Sequence, residues 1–278
     1  MVKDGSLMIY GENKSSKPIT KESFKKYLTV ISRVLTQAIK KDRIITVNVA
    51  QLVTLPETLE EFDPDKEIVK VFVDNELQIL GKTLPDTQYY ELCAIALRTG
   101  MRRGELLALT WDCIDWDKSI IHVKQALTYT KEDGYQIGPT KNKKRRRIEI
   151  TDEAKAILKV LQIYQELLKQ EDEVIRKLFD ERDLVFCRED GFYQNPDSIS
   201  SWFPDFCEKC GITRLNFHCL RHTHASHLLA AGEEISYVSA RLGHSDVTVT
   251  YQKYSHFIPV EKRKSLRDLE LKLEKRKK

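Results

Sequence analysis

The chain has 278 residues, of which 41% are hydrophobic and 32% are charged, with a formal net charge of +4. This balance permits a packed core, and disorder is not the default expectation. No apolar run reaches the roughly 18 residues of a membrane helix. The N-terminus lacks a signal-peptide pattern, so a cytoplasmic protein is expected.

The first predicted elements are helices. Apolar residues recur near a 3.6-residue period from Phe24 to Ile39, and a second, short helix is predicted from Asn48 to Val53. The stretch from Leu55 to Lys66 has two prolines among acidic side chains, which is typical of a linker. We therefore predict a small helical domain in residues 1–56 and a linker in residues 57–66.

The rest of the chain is predicted to be mostly α, of the α+β class, with a small antiparallel sheet in residues 67–260. Alternating residues predict strands at Ser119–Gln125 and Arg146–Thr151, with a basic hairpin between strands. Leucines on one face predict a C-terminal tail helix in residues 261–278. The helices predicted from apolar spacing are Ile68–Leu80, Asp86–Arg98, Arg103–Leu109, Glu153–Lys169, Cys219–Ala231 and Ile235–Leu242.

Charge is concentrated in one short run. Six of the seven residues from Lys141 to Arg147 are basic. Such a cluster can bind phosphates even when the net charge is small, although a solvated surface run is the alternative. The predicted DNA-binding side chains of this run are Lys143, Lys144, Arg145 and Arg146.

The six cysteines do not suggest a disulfide framework, which favours a reducing compartment. Cys207 and Cys210 form a lone CxxC pair. His218 and His222 could complete a zinc site on paper, but no second CxxC pair exists, and no metal site is expected.

A separated set of basic and phenolic side chains suits phosphodiester chemistry. Cleavage without a metal places negative charge on the non-bridging oxygens, which arginine forks can neutralise. Histidines can donate to the phosphate or accept a phenol proton, a lysine can protonate the leaving oxygen, and a tyrosine can attack phosphorus. The candidates are Arg102, Lys141, His218, Arg221, His244 and Tyr254, with Tyr251 as a rival nucleophile.

Four stretches resemble the tyrosine recombinases of the phage and conjugative-transposon integrase type. They are Thr99–Trp111, Thr140–Ile148, His218–Gly232 and Val238–His256. The resemblance implies a tyrosine-recombinase catalytic domain from about residue 67 onward. It also implies that the preceding residues form part of a helical core-DNA-binding domain.

The resemblance implies a role for each basic side chain. Arg102 and Arg221 would be the paired arginines, and Glu105 would brace the first of them. His218 and His244 would be the two phosphate-site histidines.

The lysine and the tyrosine each have a competitor. Lys141 would be the hairpin lysine, with Lys143 as the alternative. Tyr254 follows His244 by ten residues and Tyr251 follows it by seven, and the longer interval is the one that the resemblance favours. Tyr254 is therefore the predicted nucleophile.

The implied reaction is site-specific recombination through a 3′-phosphotyrosine and a free 5′-hydroxyl, with no cofactor, metal or ATP. The implied partners are double-stranded attachment sites, a homotetramer on DNA, and accessory DNA-bending or excision factors. The implied setting is DNA in a bacterial cell, in a phage or another mobile element.

Two other functions use part of the same pattern. A type IB topoisomerase shares the tyrosine chemistry but cuts one duplex alone. A non-catalytic DNA-binding regulator would use Ile235–Gly243 as part of a helix-turn-helix. A regulator has no need of an arginine pair and a tyrosine in this order.

Overall fold

The computed structural model describes residues 2–3, 6–9, 17–18, 21–54, 69–140, 145–171 and 173–259. The chain divides into two compact units, Met1–Ile68 and Val69–Lys278. The predicted linker at 57–66, the predicted tail helix at 261–278 and the three lysines Lys141, Lys143 and Lys144 lie outside the described residues.

The first unit contains one long helix and three short strands. Helix α1 spans Lys21–Lys40, which confirms the helix predicted from the apolar period of Phe24–Ile39. The strands form an antiparallel sheet in the order β1-β2-β3, namely β1 Val2–Lys3, β2 Ser6–Ile9 and β3 Lys17–Pro18.

The second helix predicted in this unit is a 3-10 turn, Val49–Leu52. The Asn48 side chain caps the turn by accepting from the Ala50 N–H at 3.1 Å. Its amide nitrogen also donates to the Ser32 carbonyl oxygen at 2.9 Å, which ties the turn to α1. A side chain that caps one element and bonds another explains why so short a segment is ordered.

The second unit is mostly helical. Two glutamates at the third helical position reach back to the free N–H at the start of their helices, Glu76 to Val73 and Glu105 to Arg102. The α-helices of this unit, nine among its described residues, are α2 Asp74–Thr83, α3 Tyr90–Thr99, α4 Arg103–Leu107, α5 Asp152–Glu171, α6 Glu173–Arg182, α7 Pro196–Lys209, α8 His218–Ala230, α9 Ile235–Leu242 and α10 Val247–Tyr254.

The strands of this unit form two small antiparallel sheets. One has the order β4-β5-β8, and in it Ile121 of β5 pairs with Ile148 of β8. The other is the hairpin β6-β7, in which Gln125 pairs with Pro139. The strands are β4 Ile114–Asp115, β5 Ile120–Val123, β6 Gln125–Thr130, β7 Gly134–Pro139 and β8 Arg146–Glu149.

The predicted antiparallel sheet is therefore confirmed, whereas the predicted hairpin connection at the basic run is wrong. The strands predicted at Ser119–Gln125 and Arg146–Thr151 do pair with each other, as β5 and β8. The basic run, however, joins β7 to β8, and these strands belong to different sheets, so it is not the turn of a hairpin. The two strands of the β6-β7 hairpin between them were not predicted, because each is short and partly exposed, with only two large apolar residues.

Helix α8 links the two hydrophobic clusters of this unit. Cys219 and Leu220 at its start belong to the larger cluster, whereas Ala225 and Leu229 further along belong to a smaller cluster with α9 and Tyr254. Burial on both sides fixes the position of the helix, because a packed interior tolerates little displacement. The polar residues at its N-terminal end are therefore held in place by the core.

Candidate active site

Arg221 is the buried arginine of the site. It lies on α8 with 2% relative exposure. Its Nη1 donates to the Gly100 carbonyl oxygen and its Nη2 to the Leu242 carbonyl oxygen, both at 2.7 Å. Burial, together with the positive charge of Arg102, lowers the Arg221 pKa to about 9, so the guanidinium remains charged at neutral pH.

Arg102 reaches the neighbouring carbonyl. It is the N-cap residue of α4, and its Nη2 donates to the Gly243 oxygen at 3.2 Å. The two guanidiniums are thus anchored on the carbonyls of consecutive residues, Leu242 and Gly243. The Arg102 side chain is 41% exposed, so this guanidinium faces solvent while that of Arg221 lies behind it. We call Arg102 and Arg221 the arginine pair.

Two glycines make these carbonyls available. Gly100 ends α3 and Gly243 ends α9, both in the left-handed conformation, with φ of +66° and +70°. That conformation favours glycine, and a Cβ at Gly100 would lie 2.6 Å from the His224 ring. Carbonyls at a helix C-terminus carry partial negative charge and lack helical partners, so they suit two arginines.

Glu105 organises the other side of the pair. Its carboxylate accepts from Arg102 Nη1 at 2.9 Å and from Arg146 Nη1 and Nη2 at 2.8 and 2.6 Å. Burial alone would raise its pKa, but the hydrogen bonds and charge of Arg146, with those of Arg102, outweigh burial and lower it to about 2. The carboxylate is therefore ionised at any pH where the protein is expected to work.

Two neighbouring arginines of the basic run have different environments. The Arg146 side chain is only 10% exposed, and its Nε also donates to the Arg241 carbonyl oxygen at 2.8 Å. The guanidinium of Arg146 therefore binds Glu105, and its predicted contact with DNA stays a prediction. Arg145 is exposed, as that expectation requires.

Both predicted histidines are close enough to the arginine pair to be affected by its charge. His244, one residue after Gly243, bonds through Nδ1 to Thr250 Oγ1 at 2.7 Å. Burial and the positive charge of Arg221 lower its pKa to about 3. His218 is exposed at the start of α8. Partial desolvation by the surrounding protein, together with the positive charge of Arg221, lowers the His218 pKa to about 4.

The two candidate tyrosines have opposite environments. Tyr251 is 58% exposed, whereas Tyr254 is 1% exposed and packs in the smaller cluster of α8 and α9. Burial raises the Tyr254 pKa to about 12, and the charge of Arg221 acts in the opposite direction. The Tyr254 hydroxyl lies 2.5 Å from Nδ1 of His222. We call Tyr254 and His222 the tyrosine–histidine pair.

A cavity of about 470 Å³ opens beside Arg102, and its volume is sufficient for a phosphodiester group. Arg102, Arg145 and His244 contribute positive or hydrogen-bonding groups to its wall, with Gly243 and Thr128 beside them. Within the described ranges, no three His, Cys, Asp or Glu side chains are arranged to hold a metal ion.

The structure brings most of the predicted site residues together, and each of them interacts electrostatically with at least one other. They are Arg102, Glu105, His218, Arg221, His244 and Tyr254. Lys141, Lys143 and Lys144 lie outside the described residues.

Three contacts were not predicted. His222 was considered only as a metal ligand, although it lies four residues after His218 and so on the same face of α8. The carboxylate of Glu105 was assigned to Arg102 alone, whereas it also binds Arg146. Arg241 donates to Nε2 of His224 at 3.0 Å, a contact for which the sequence carries no signal because it joins α9 to α8.

None of the helices in the described part of the chain has the length and hydrophobicity needed to span a bilayer.

The fold is similar to that of a solved recombinase. Over 85% of this chain and 76% of the other, the structure matches the Tn1549 transposon integrase, solved with a circular intermediate DNA, with a TM-score of 0.64 and 19% identity. At this identity the likeness concerns the fold, which agrees with the predicted α+β architecture.

Two relatives have similar sequences over much of the chain. A XerC-like tyrosine recombinase of Caldanaerobacter subterraneus subsp. tengcongensis is 28% identical over 74% of this chain, and the ICEBs1 integrase of Bacillus subtilis is 27% identical over 90% of it. The matches span 56% and 65% of the length of these relatives. The model of the phage integrase family matches residues 70–259, which cover the arginine pair and Tyr254. The chain therefore belongs to the phage integrase family.

Proposed function

We propose that this chain is a site-specific DNA recombinase that cuts and rejoins duplex DNA through a covalent 3′-phosphotyrosine at Tyr254. The observation that carries the proposal is that Arg221 and Arg102 are anchored on the consecutive carbonyls of Leu242 and Gly243, respectively. The positive charge of both arginines also acts on the Tyr254 hydroxyl. Two charged forks beside a phenol are the parts that a tyrosine needs to attack a phosphodiester.

The arginine pair would bind the scissile phosphate. The bonds described above use two of the five N–H groups of the Arg221 guanidinium. N–H groups that point to the phosphate stabilise the charge that develops on its non-bridging oxygens. Because carbonyls and Glu105 already orient both guanidiniums, little reorganisation is needed when DNA binds.

The remaining roles follow from position. His218 and His244 would donate hydrogen bonds to the phosphate, and Glu105 would hold Arg102 in orientation. Lys141, or Lys143 in its place, would protonate the leaving 5′ oxygen. Lys143, Lys144 and the exposed Arg145 would bind the DNA backbone, where each basic group contributes to affinity that falls with salt.

The proposed partners are double-stranded attachment sites, a homotetramer of this chain on DNA, and accessory DNA-bending or excision factors. The proposed setting is the bacterial cytoplasm. Support for DNA as the partner comes from the Tn1549 integrase, which has a similar fold and was solved with a circular intermediate DNA.

The test is covalent capture of DNA. A labelled attachment-site duplex is nicked next to the scissile phosphate, so that the cleaved strand diffuses away and the adduct accumulates. On a denaturing gel we expect a protein–DNA band with the native chain and none with Tyr254→Phe, which removes the attacking oxygen. Tyr251→Phe is the matched control, because that exposed tyrosine should be dispensable.

Two further measurements separate the alternatives. The band should persist in EDTA, because the arginine pair supplies the positive charge. A two-site recombination assay should give recombinant product, whereas a topoisomerase would only relax a supercoiled plasmid. If Tyr254→Phe forms the band or recombines like the native chain, the proposal is wrong.

A further inference from the structure

His222 has no role in the mechanism above, yet it is the side chain bonded to the predicted nucleophile. Its Nδ1 lies 2.5 Å from the Tyr254 hydroxyl oxygen, and the two rings are 5.7 Å apart between centroids. The His222 ring also packs edge-on against His218, with centroids 4.6 Å apart. It is thus held between α8 and α10 with one nitrogen directed at the reacting oxygen.

The protonation states define the direction of this hydrogen bond. Burial lowers the His222 pKa to about 3, and neighbouring ionisable groups, among them Lys253 and Arg221, act in the same direction, so the ring is neutral near pH 7. The Tyr254 pKa of about 12 keeps the phenol protonated at the same pH. We assign the ring proton to Nε2, so that the phenol O–H donates and Nδ1 accepts.

We propose that His222 accepts the phenol proton of Tyr254 during DNA cleavage and returns it during rejoining. This proposal rests on the proposed function. As the Tyr254 oxygen bonds to phosphorus, its proton moves to Nδ1 of His222. The bond from phosphorus to the 5′ oxygen breaks, and that oxygen takes a proton from the general acid. Charge is conserved, and the reverse sequence restores the original states.

The other two histidines are less suitable as acceptors. His244 directs Nδ1 to Thr250 Oγ1, at 2.7 Å, and not to the phenol. His218 contacts the His222 ring from the solvent side. Of the histidines in the described ranges, His222 is the one that forms a hydrogen bond with Tyr254.

Bound DNA would make His222 a better base. The groups that act on it are His218 and Arg221 from α8, Lys253 and Tyr254 from α10, and His244. The positive charges among them disfavour a protonated ring. A phosphate on the arginine pair would add negative charge nearby and raise the His222 pKa toward a useful range. Proton transfer would therefore be coupled to the arrival of substrate.

Two variants of His222 test the proposal in the nicked-duplex assay. We expect His222→Ala and His222→Asn each to slow formation of the covalent band roughly 10²- to 10⁴-fold, the usual contribution of a general base. Asparagine keeps an acceptor oxygen near the position of Nδ1 but cannot take the proton. Thermal unfolding and DNA binding serve as checks of folding. His227→Ala, an exposed position on the same helix, is the matched control and should cleave like the native chain.

A fluorinated tyrosine at position 254 provides the readout that a merely structural role would not change. Because fluorine lowers the phenol pKa, this residue needs less help from a base. We expect it to recover most of the rate lost in His222→Ala. The rate of His222→Ala should also keep rising at alkaline pH, where hydroxide can take the proton.

Several results would overturn the proposal. One is cleavage by His222→Ala at the native rate or faster, and a faster rate would mean that the contact restrains the tyrosine. Recovery of the native rate by His222→Asn would mean that a hydrogen bond suffices. A slow His222→Ala that fluorotyrosine does not rescue would indicate a packing role. Absence of a band with the native chain would instead defeat the proposed function, and this proposal with it.

Discussion

The arginine pair and the tyrosine–histidine pair are neighbours with opposite electrostatic states. Arg102 and Arg221 are charged and held by carbonyls and by Glu105. Tyr254 and His222 are neutral at pH 7 because burial shifts the pKa of each away from its charged form. Under the proposed function, the half that would bind phosphate is prepared in advance, whereas the half that would supply the nucleophile requires a further change before it can react.

This division has a physical reason. Helix C-terminal carbonyls and a buried carboxylate can stabilise a permanent cation without any ligand. A phenolate buried among apolar residues has no such support until a proton acceptor becomes effective. An enzyme arranged in this way would not expose a reactive phenolate in the absence of DNA.

Among the residues that hold or support the two guanidiniums, removal of the buried arginine has the largest expected effect. Arg221→Ala should slow cleavage of the nicked duplex roughly 10²- to 10³-fold, or about 3–4 kcal/mol in the barrier, by analogy with loss of one oxyanion donor. Arg214→Ala is the control, since Arg214 is an exposed arginine paired with Asp205 and Glu208. A native rate in Arg221→Ala would contradict the proposed division between the two pairs.

Glu105→Gln should destabilise the fold by about 3 kcal/mol, because Arg146 would remain largely buried without its partner. The folded pKa of about 2 lies below the ordinary 4.5. The contribution is therefore complete above pH 4.5 and is lost as pH falls from there toward about 2.

The measurement is the free energy of unfolding of the native chain and Glu105→Gln, from neutral pH to about pH 3. Their difference should shrink on acidification. Glu208→Gln is the control and should cost less than about 1 kcal/mol, because Glu208 is exposed. A difference that stays constant with pH would show that the Glu105 carboxylate does not hold the arginines.

The smallest expected effect is a loss of stability in two glycine variants, which together separate backbone strain from a side-chain contact. Gly243 and Gly211 share φ of +70°, but a Cβ on Gly243 would lie 2.9 Å from Arg146, whereas one on Gly211 meets no atom within 4 Å. Gly211→Ala should cost about 1 kcal/mol for the left-handed backbone alone. Gly243→Ala should cost about 1 kcal/mol more, as Arg146 is displaced.

Thermal unfolding measures both glycine variants, and the nicked-duplex assay adds a functional comparison. Gly243→Ala should also slow cleavage, since the Gly243 carbonyl anchors Arg102. Equal losses of stability in the two variants would mean that the contact with Arg146 adds nothing.

Much of the fold could be predicted from local patterns. The bounds of α9 agree with the predicted helix at Ile235–Leu242, because its apolar spacing and the following glycine both act within a few residues. Helix α10 was not predicted. It is rich in β-branched residues, and its order depends on the Asp246 side chain, which caps Thr248, and on burial of Tyr254.

The candidate site shows the same limit. The motifs single out Arg102, Arg221 and Tyr254, since residue type and order carry the family pattern. The partners of these residues could not be read in the same way. Arg221 bonds Gly100, which lies 121 positions away, and no local pattern encodes so distant a contact.

By itself the sequence determined which reactive side chains are available and which family the chain resembles, because side-chain identity and spacing are properties of the chain. Only the tertiary structure decided which groups are charged and which are neutral. Those states depend on burial and on neighbours brought together from α3, α4, α8, α9 and α10. Arg146 illustrates the difference, since its place in a basic run predicts DNA contact, whereas its packing against Glu105 makes it part of the support for the arginine pair.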